Sequence, residues 1–252
     1  MSPGFLDTAW ALAWRTWVKT FRRPVLLTFS FVQPLMWMLF FGFLFDRYEL
    51  VDFPEGTRYI DFLAPGVCVM TVLFGASQSG IGWIRDEQVG FLARMLQTPA
   101  SPWAILAGKV CADAARLLVQ AMLVLLLALA VGARLAPDLG SIGPGFAALC
   151  LFALAFSCLS SAIAFWTRAQ EAMAVFVHVV NMPLLFTSSA LVPGKQMPDW
   201  LARIAAWNPL TLAVDAWRSA LLGQGTVEYL DLAPLALLAG FLFLLAGRAM
   251  QR

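Results

Sequence analysis

Residues 142–167, IGPGFAALCLFALAFSCLSSAIAFWT, run for 26 positions without one Asp, Glu, Lys or Arg. A helix needs roughly 20 apolar residues to cross the ~30 Å of hydrocarbon in a bilayer. This stretch therefore decides the class: all-α, integral to a membrane. Four more uncharged runs, Pro24–Phe45, Phe62–Ile84, Leu117–Ala133 and Ala172–Val192, and a shorter one, Leu232–Gly247, repeat the pattern. Six transmembrane helices are expected, at about 24–45, 62–84, 109–133, 142–167, 172–192 and 230–247.

Composition agrees. The chain is 61% apolar and 13% charged, against about 25% charged in soluble domains. A net charge of +2 gives no basic patch for nucleic acid. The basic residues are sorted by compartment instead. One set of connections holds Arg15, Lys19, Arg22, Arg23, Arg85, Arg94, Arg168, Arg248 and Arg252 against four acids, Asp7, Asp86, Glu87 and Glu171. The other set is acid-rich, running from Asp46 and Glu49 through Asp61, Asp138, Asp199 and Asp215 to Asp231. Lys and Arg mark the cytoplasmic side, so both termini are expected there. The first apolar run is too long for a signal h-region, and no small-residue cleavage site follows it. Cys68, Cys111, Cys150 and Cys158 fall in or beside spans and read as buried packing residues.

The chain shows no catalytic or nucleotide-binding pattern. Gly108-Lys109 and Gly194-Lys195 lack the upstream glycine and the following hydroxyl of a phosphate loop. An intramembrane enzyme would need paired carboxylates, a nucleophile or a metal cluster at depth, and only His178 is titratable in mid-span. It reads as a packed, hydrogen-bonded histidine, or as a gate residue with Asn181. The chain is thus expected to be the membrane half of a system whose other half supplies energy or chemistry.

Between the spans three segments stand out. Residues 1–23 form an amphipathic interface helix, with Trp10, Trp14, Trp17 and Phe21 on one face and Arg15, Lys19, Arg22 and Arg23 off it. Such a helix lies in the headgroup layer. Residues 85–97 form a short helix whose apolar side (Phe91, Leu92, Met95, Leu96) opposes the charges Arg85, Asp86, Glu87 and Arg94, as a docking element would. Within span three, offsets of four and three put Asp113 in reach of Lys109 and Arg116. After span five, Pro193, Pro198 and Pro209 cut residues 193–225 into two short helices, about Asp199–Ala206 and Leu210–Leu222. The second carries Asp215 and Arg218, which can pair locally, and suits a re-entrant hairpin beside the mouth of a pathway.

The wording of these segments resembles a known family. Arg22-Arg23-Pro24 leads into Phe31-Val32-Gln33-Pro34; Phe62-Leu63-Ala64-Pro65-Gly66 opens span two; Leu96-Gln97-Thr98-Pro99 closes the inner loop. Then come Thr187-Ser188-Ser189-Ala190-Leu191-Val192-Pro193, Met197-Pro198-Asp199-Trp200-Leu201, Trp207-Asn208-Pro209-Leu210-Thr211 and Asp215. Over nearly its whole length the chain resembles the membrane subunits of ABC-2 type exporters, especially daunorubicin-resistance-like permeases. The resemblance implies six spans per chain, a homodimer, and two copies of a separate cytoplasmic ABC ATPase, which would bind the ATP and magnesium. It implies a bacterial inner membrane and a coupling role for 85–97.

The function expected is export of a hydrophobic or amphipathic, drug- or antibiotic-like solute, with no ATPase site on this chain. Phe31, Gln33, Trp37, His178, Asn181, Phe186, Asp215 and Arg218 are candidates for the pathway or its gate. The alternatives are export of a polysaccharide or lipid-linked glycan, or a non-transporting membrane scaffold. Rings of carboxylates, as an ion path requires, are absent from the spans.

Overall fold

The computed structural model describes residues 5–21, 24–45, 58–223 and 225–251, and these are all-helical. The order is α1 (Phe5–Phe21), α2 (Pro24–Phe45), α3 (Tyr59–Ser77), α4 (Ser79–Gln88), α5 (Phe91–Leu96), α6 (Pro102–Ala130), α7 (Leu139–Thr167), α8 (Gln170–Phe186), α9 (Asp199–Trp207), α10 (Pro209–Leu222) and α11 (Ala233–Met250). One-turn 3-10 segments, Gly194–Gln196 and Tyr229–Leu232, precede α9 and α11.

Among the described residues, four helical stretches are long and apolar enough to cross a membrane: 59–88, 102–130, 139–167 and 229–250. Pro34–Phe45 and Gln170–Phe186 are apolar but shorter.

α3 is the axis of the bundle. Its apolar residues cover every side, the pattern of a helix enclosed by others, and nearly all of it is buried. Around it stand α2, α6, α7, α8 and α10. Contact between helices in lipid comes from close backbone approach at small residues. At Gly66 an added Cβ would run into the Ala190 carbonyl oxygen, and at Gly80 it would lie 2.5 Å from the Ser160 oxygen. A methyl at Gly66 has only backbone to displace. Gly66→Ala is therefore expected to lower the melting temperature of the detergent-solubilised chain by an amount matching about 1–3 kcal/mol of overpacking.

Hydroxyls of α7 add bonds to this packing. Ser160 Oγ donates to Ser77 O (2.8 Å) and accepts from Gly80 N (2.9 Å), while the Trp83 indole donates to Ser161 Oγ (2.9 Å). The small residues of α7 thus do more than permit approach.

Several boundaries move from the sequence-based spans. The 85–97 segment is not one helix. Residues 85–88 finish α4, and Gly90 takes a left-handed φ of 69°, a conformation glycine adopts without steric cost. α5 then starts in a new direction. α8 stops at Phe186, short of Val192. There the Thr187 and Ser188 hydroxyls bond back to Pro183 O and Leu185 O (2.8 and 2.7 Å), and Asn208 Nδ2 takes Leu184 O (2.7 Å). These side chains satisfy the last-turn carbonyls and leave no reason to propagate the helix. α6 begins earlier than residue 109, with Pro102 in its first turn and Ser101 before it. Lys109, Asp113 and Arg116 therefore lie well inside the helix. α7 starts at an Asp138 N-cap that accepts from Gly140 N and Ser141 N. The Ser141 hydroxyl, then the Gly140 N–H, hold the Asp138 carboxyl below its usual range.

The bundle has two distinguishable ends. At one end, where α4 and α5 form an elbow at Gly90, α4 meets the α7–α8 turn. At the hairpin end, α10 meets the starts of α3 and α7, with α9 packed on α10; Ala136 N and Asp138 N donate to Leu221 O and Ala220 O (both 3.0 Å).

Candidate functional site

At the elbow end, three segments that looked separate in sequence are joined. Asp86 is buried, and both of its oxygens are engaged: Oδ2 by Lys109 Nζ at 3.2 Å and Oδ1 by Arg15 at 3.5 Å. Lys109 also sits over the Trp83 ring at 4.0 Å, and the Arg15 guanidinium over Phe91 at 3.6 Å. Cations over aromatic faces gain from the ring quadrupole, most where water is excluded. Arg15, assigned to a lipid-lying helix, thus holds α1 onto the elbow. α1 packs along α6, where a Cβ on Gly108 would meet Ala9 O at 2.5 Å. Trp10 and Trp14 remain exposed, and Trp17 is half-buried. Arg22 and Arg23, with the side chains of Lys19, Phe31 and Gln33, lie outside the described residues.

Asp86 is therefore an internal tie rather than a presented charge. Arg85 and Arg94 are exposed, as are Val89 and Leu96. Arg94 wraps back onto the carbonyls of Gly90 and Val89 (both 3.2 Å). Glu87 reaches Arg168 at 3.5 Å, and Gln170 bonds Gln88 at 3.1 Å, which links the elbow to the α7–α8 turn. Arg168 sits there with φ 50°, the left-handed C-cap position that glycine usually fills. In α6, Lys109 turns to Asp86, and Asp113 keeps Arg116 at 3.9 Å.

The hairpin end is organised by Arg218. Its guanidinium is buried and forks in three directions: Nε to Phe62 O (3.3 Å), Nη1 to Asp215 Oδ1 (3.0 Å) and Nη2 to Ser189 O (3.0 Å). It also stacks on the Phe62 ring at 3.7 Å. Ser189 Oγ donates to Asp215 (2.7 Å), Ser189 N to Thr211 Oγ1 (3.2 Å), and Tyr59 OH to Leu191 O (3.0 Å). Asn208 caps α10 by accepting from Leu210 N (2.8 Å). The local pair of Asp215 and Arg218 is thus one strand of a larger clamp. Three stretches quoted from the sequence, 62–66, 187–193 and 207–211 with Asp215, come together around the Arg218 guanidinium.

The other candidates scatter. Asn181 is buried and donates to Ser77 Oγ (2.7 Å), beside the α3–α4 junction. Trp37 is half-buried and stacked on Phe41 (5.0 Å). Phe186 is exposed. His178 is exposed rather than packed, with Nδ1 2.9 Å from Ala174 O; it lies on the side of α8 turned away from α3. Cys68 and Cys158 are buried as expected, but Cys150 is half-buried and Cys111 exposed, because each looks away from the bundle axis.

Sequence reasoning missed Asp61, grouped with a solvated loop. It is buried, accepting from Arg58 N (3.0 Å) and Arg134 N (2.6 Å), and so locks the start of α3 to the segment after α6. Its position directly before the uncharged run Phe62–Ile84, three residues after Arg58, was the available signal. No group of three metal-ligating side chains occurs among the described residues.

The profile of the ABC-2 type transporter family matches residues 8–222, a range that contains the elbow and the Arg218 clamp. The chain belongs to this family. It is 33% identical over 210 residues to the transport permease ycf38 of Porphyra purpurea, covering 82% of this chain and 72% of that one. The ycf38 permease of Cyanophora paradoxa is 30% identical over 215 residues, 85% and 74% of the two chains. The daunorubicin resistance ABC transporter permease protein DrrB1 of Streptomyces coeruleorubidus is 29% identical over 221 residues, 86% and 75%. Family and apolar helices together make this a multi-pass membrane subunit of an ABC transporter, and the family implies an ABC ATPase partner.

Proposed function

We propose that the chain is the permease of an ATP-driven exporter in a bacterial inner membrane. It works as a homodimer with two copies of a cytoplasmic ABC ATPase, which bind the ATP and magnesium. Each chain crosses six times, α2 and α8 supplying the crossings beyond the four long stretches, with both termini on the ATPase side and α9–α10 re-entering from the opposite side. The cargo is a hydrophobic or amphipathic, drug-like solute. Between the charged ties at its two ends, the buried residues of the bundle are mainly apolar and hydroxylic, which suits such a solute better than an ion.

The observation that carries this reading is the elbow. A tip, residues 89–96, with Val89, Arg94 and Leu96 exposed and Leu92 buried as its root, is mounted on α4, and α4 is tied through Asp86 to α1 and α6 and through Glu87 to the α7–α8 turn. α4 continues almost directly from α3, the axis of the bundle. A load applied at the tip therefore reaches every helix of the core. The test is ATP-dependent quenching of daunorubicin fluorescence in inverted vesicles that carry the chain with a co-expressed ABC ATPase. Phe91→Ala and Glu87→Ala are expected to slow uptake about tenfold or more, because anchors of an interface dominate its energetics, with the dimer still in the membrane. Unchanged uptake in both variants would remove the elbow from the coupling path. Quenching that needs no ATP would remove the exporter.

A further inference from the structure

A groove lies away from the ties at both ends, between α7 and α11. Gly143, Phe146, Ala147, Cys150 and Leu151 form one wall of an open groove of about 470 Å³, and Tyr229, Leu232, Ala233 and Ala236 form the other. The groove exists because small residues face each other here. Gly143, Ala147, Ala233 and Ala236 leave room that large side chains fill nearer the elbow end, where Trp103 packs against Gly247.

Its place fixes its solvent. Both walls belong to stretches long and apolar enough to cross a membrane. At 1.5 Å per residue, positions 143–151 lie about 6–18 Å along α7 from its hairpin end, roughly within the depth of one leaflet's hydrocarbon. The surrounding surface, including Phe146, Leu230 and Leu237, is exposed and apolar. The groove therefore opens sideways onto acyl chains.

Its mouth carries the chemistry of a headgroup site. Tyr229 Oη lies where a Cβ on Gly143 would come within 2.7 Å, so the glycine lets the phenol close over the groove. A tyrosine with an apolar body and a polar tip belongs at this level of a bilayer. Glu228 and Asp231 flank it, exposed, joined by a bond from Glu228 N to Asp231 Oδ2 (3.0 Å). No Lys or Arg occurs in residues 135–167 or 225–247. A purely anionic headgroup would find only like charge here, whereas an ammonium can make charge-assisted hydrogen bonds to both carboxylates. We infer that this groove holds one acyl chain of an aminophospholipid, whose ammonium is received by Glu228 and Asp231 while Tyr229 meets its glycerol-phosphate region.

The test uses the full chain in phosphatidylcholine nanodiscs doped with phosphatidylethanolamine or phosphatidylglycerol, each bearing a diazirine in its acyl chain. Crosslinks are expected on the peptides spanning 143–151 and 229–236, several-fold stronger for phosphatidylethanolamine. Ala147→Trp and Ala236→Phe, each filling the groove from one wall, are expected to cut them several-fold without moving the melting temperature by more than a few degrees. Glu228→Lys with Asp231→Lys is expected to reverse the headgroup preference. Cys150 gives a readout that needs no filled variant: in a Cys111→Ser chain, phosphatidylethanolamine should slow its reaction with a lipid-soluble maleimide. Equal crosslinking by both lipids, or undiminished crosslinking in both filled variants, overturns the assignment. So does protection of Cys150 by daunorubicin and not by phosphatidylethanolamine, which would make the groove a cargo site.

Discussion

Arg218→Ala is expected to lower the apparent melting temperature of the solubilised chain by about 6–12 °C, the shift that ~3 kcal/mol produces in a chain of this size. Breaking a buried charge pair by removing one partner costs ~3–5 kcal/mol. The lower end applies because the Asp215 side chain is 54% exposed, and water screens that arm of the clamp. The larger loss is at the two carbonyls. Phe62 O and Ser189 O both lose this donor, and a buried acceptor left short of a partner carries a desolvation penalty. Arg218→Lys discriminates the causes. It keeps the charge but has no planar fork to serve three acceptors and a ring at once, so about half of the loss is expected to remain. Asp215→Asn should cost under ~1 kcal/mol, as expected for a largely exposed pair. A lysine variant as stable as the parent would mean that charge alone holds the hairpin end. Membrane abundance measured beside daunorubicin uptake then separates folding from gating.

The elements at both ends were legible in the sequence to different depths, and the reason is physical. Apolar runs and prolines report on one helix at a time, so α6, α7, α9 and α10 could be read directly. The split of α9 from α10 follows from Asn208-Pro209, and the charged faces of α1 and of 85–97 follow from spacing. What spacing cannot report is which helix a face meets. Arg15 and Asp86 are 71 positions apart, and Asp86 finds Lys109 rather than the nearer Arg85 or Arg94. The clamp was hidden more deeply. Two of Arg218's partners are backbone carbonyls, which leave no residue type to recognise. The hydroxyls at 187–188 end α8 by bonding back to its last carbonyls, and an apolar run that continues to Val192 does not show this. One rule would have gone further: a charge inside an apolar helix must be paired or turned to water. Applied to Lys109, Asp61 and Arg218, it demands partners that their own helices do not supply in full.

The same rule gives the second large effect. Asp86→Ala is expected to destabilise the chain by about 3 kcal/mol, since Lys109 is nine-tenths buried and loses its carboxylate. The Arg15 arm contributes little to that figure, because its side chain is 38% exposed and the pair is screened. Arg15→Ala alone should therefore cost under ~1 kcal/mol, chiefly through the contact with Phe91. The informative variant is the double one. A buried ion pair replaced by apolar residues of similar volume is often neutral or better, so Asp86→Ala with Lys109→Met is expected to recover most of the lost melting temperature. A coupling of at least ~1.5 kcal/mol should separate the double variant from the sum of the singles, as for residues in direct contact. Stability and transport should then part company. With the tie replaced by methionine packing, α4 is no longer bonded to α6 and α1 by charge, and ATP-dependent uptake is expected to stay low in a chain that folds well. If the double variant is no more stable than Asp86→Ala, the pair is not what holds α4. If it regains uptake in full, Asp86 is a structural residue and the load on the elbow travels through Glu87 and the α7–α8 turn instead.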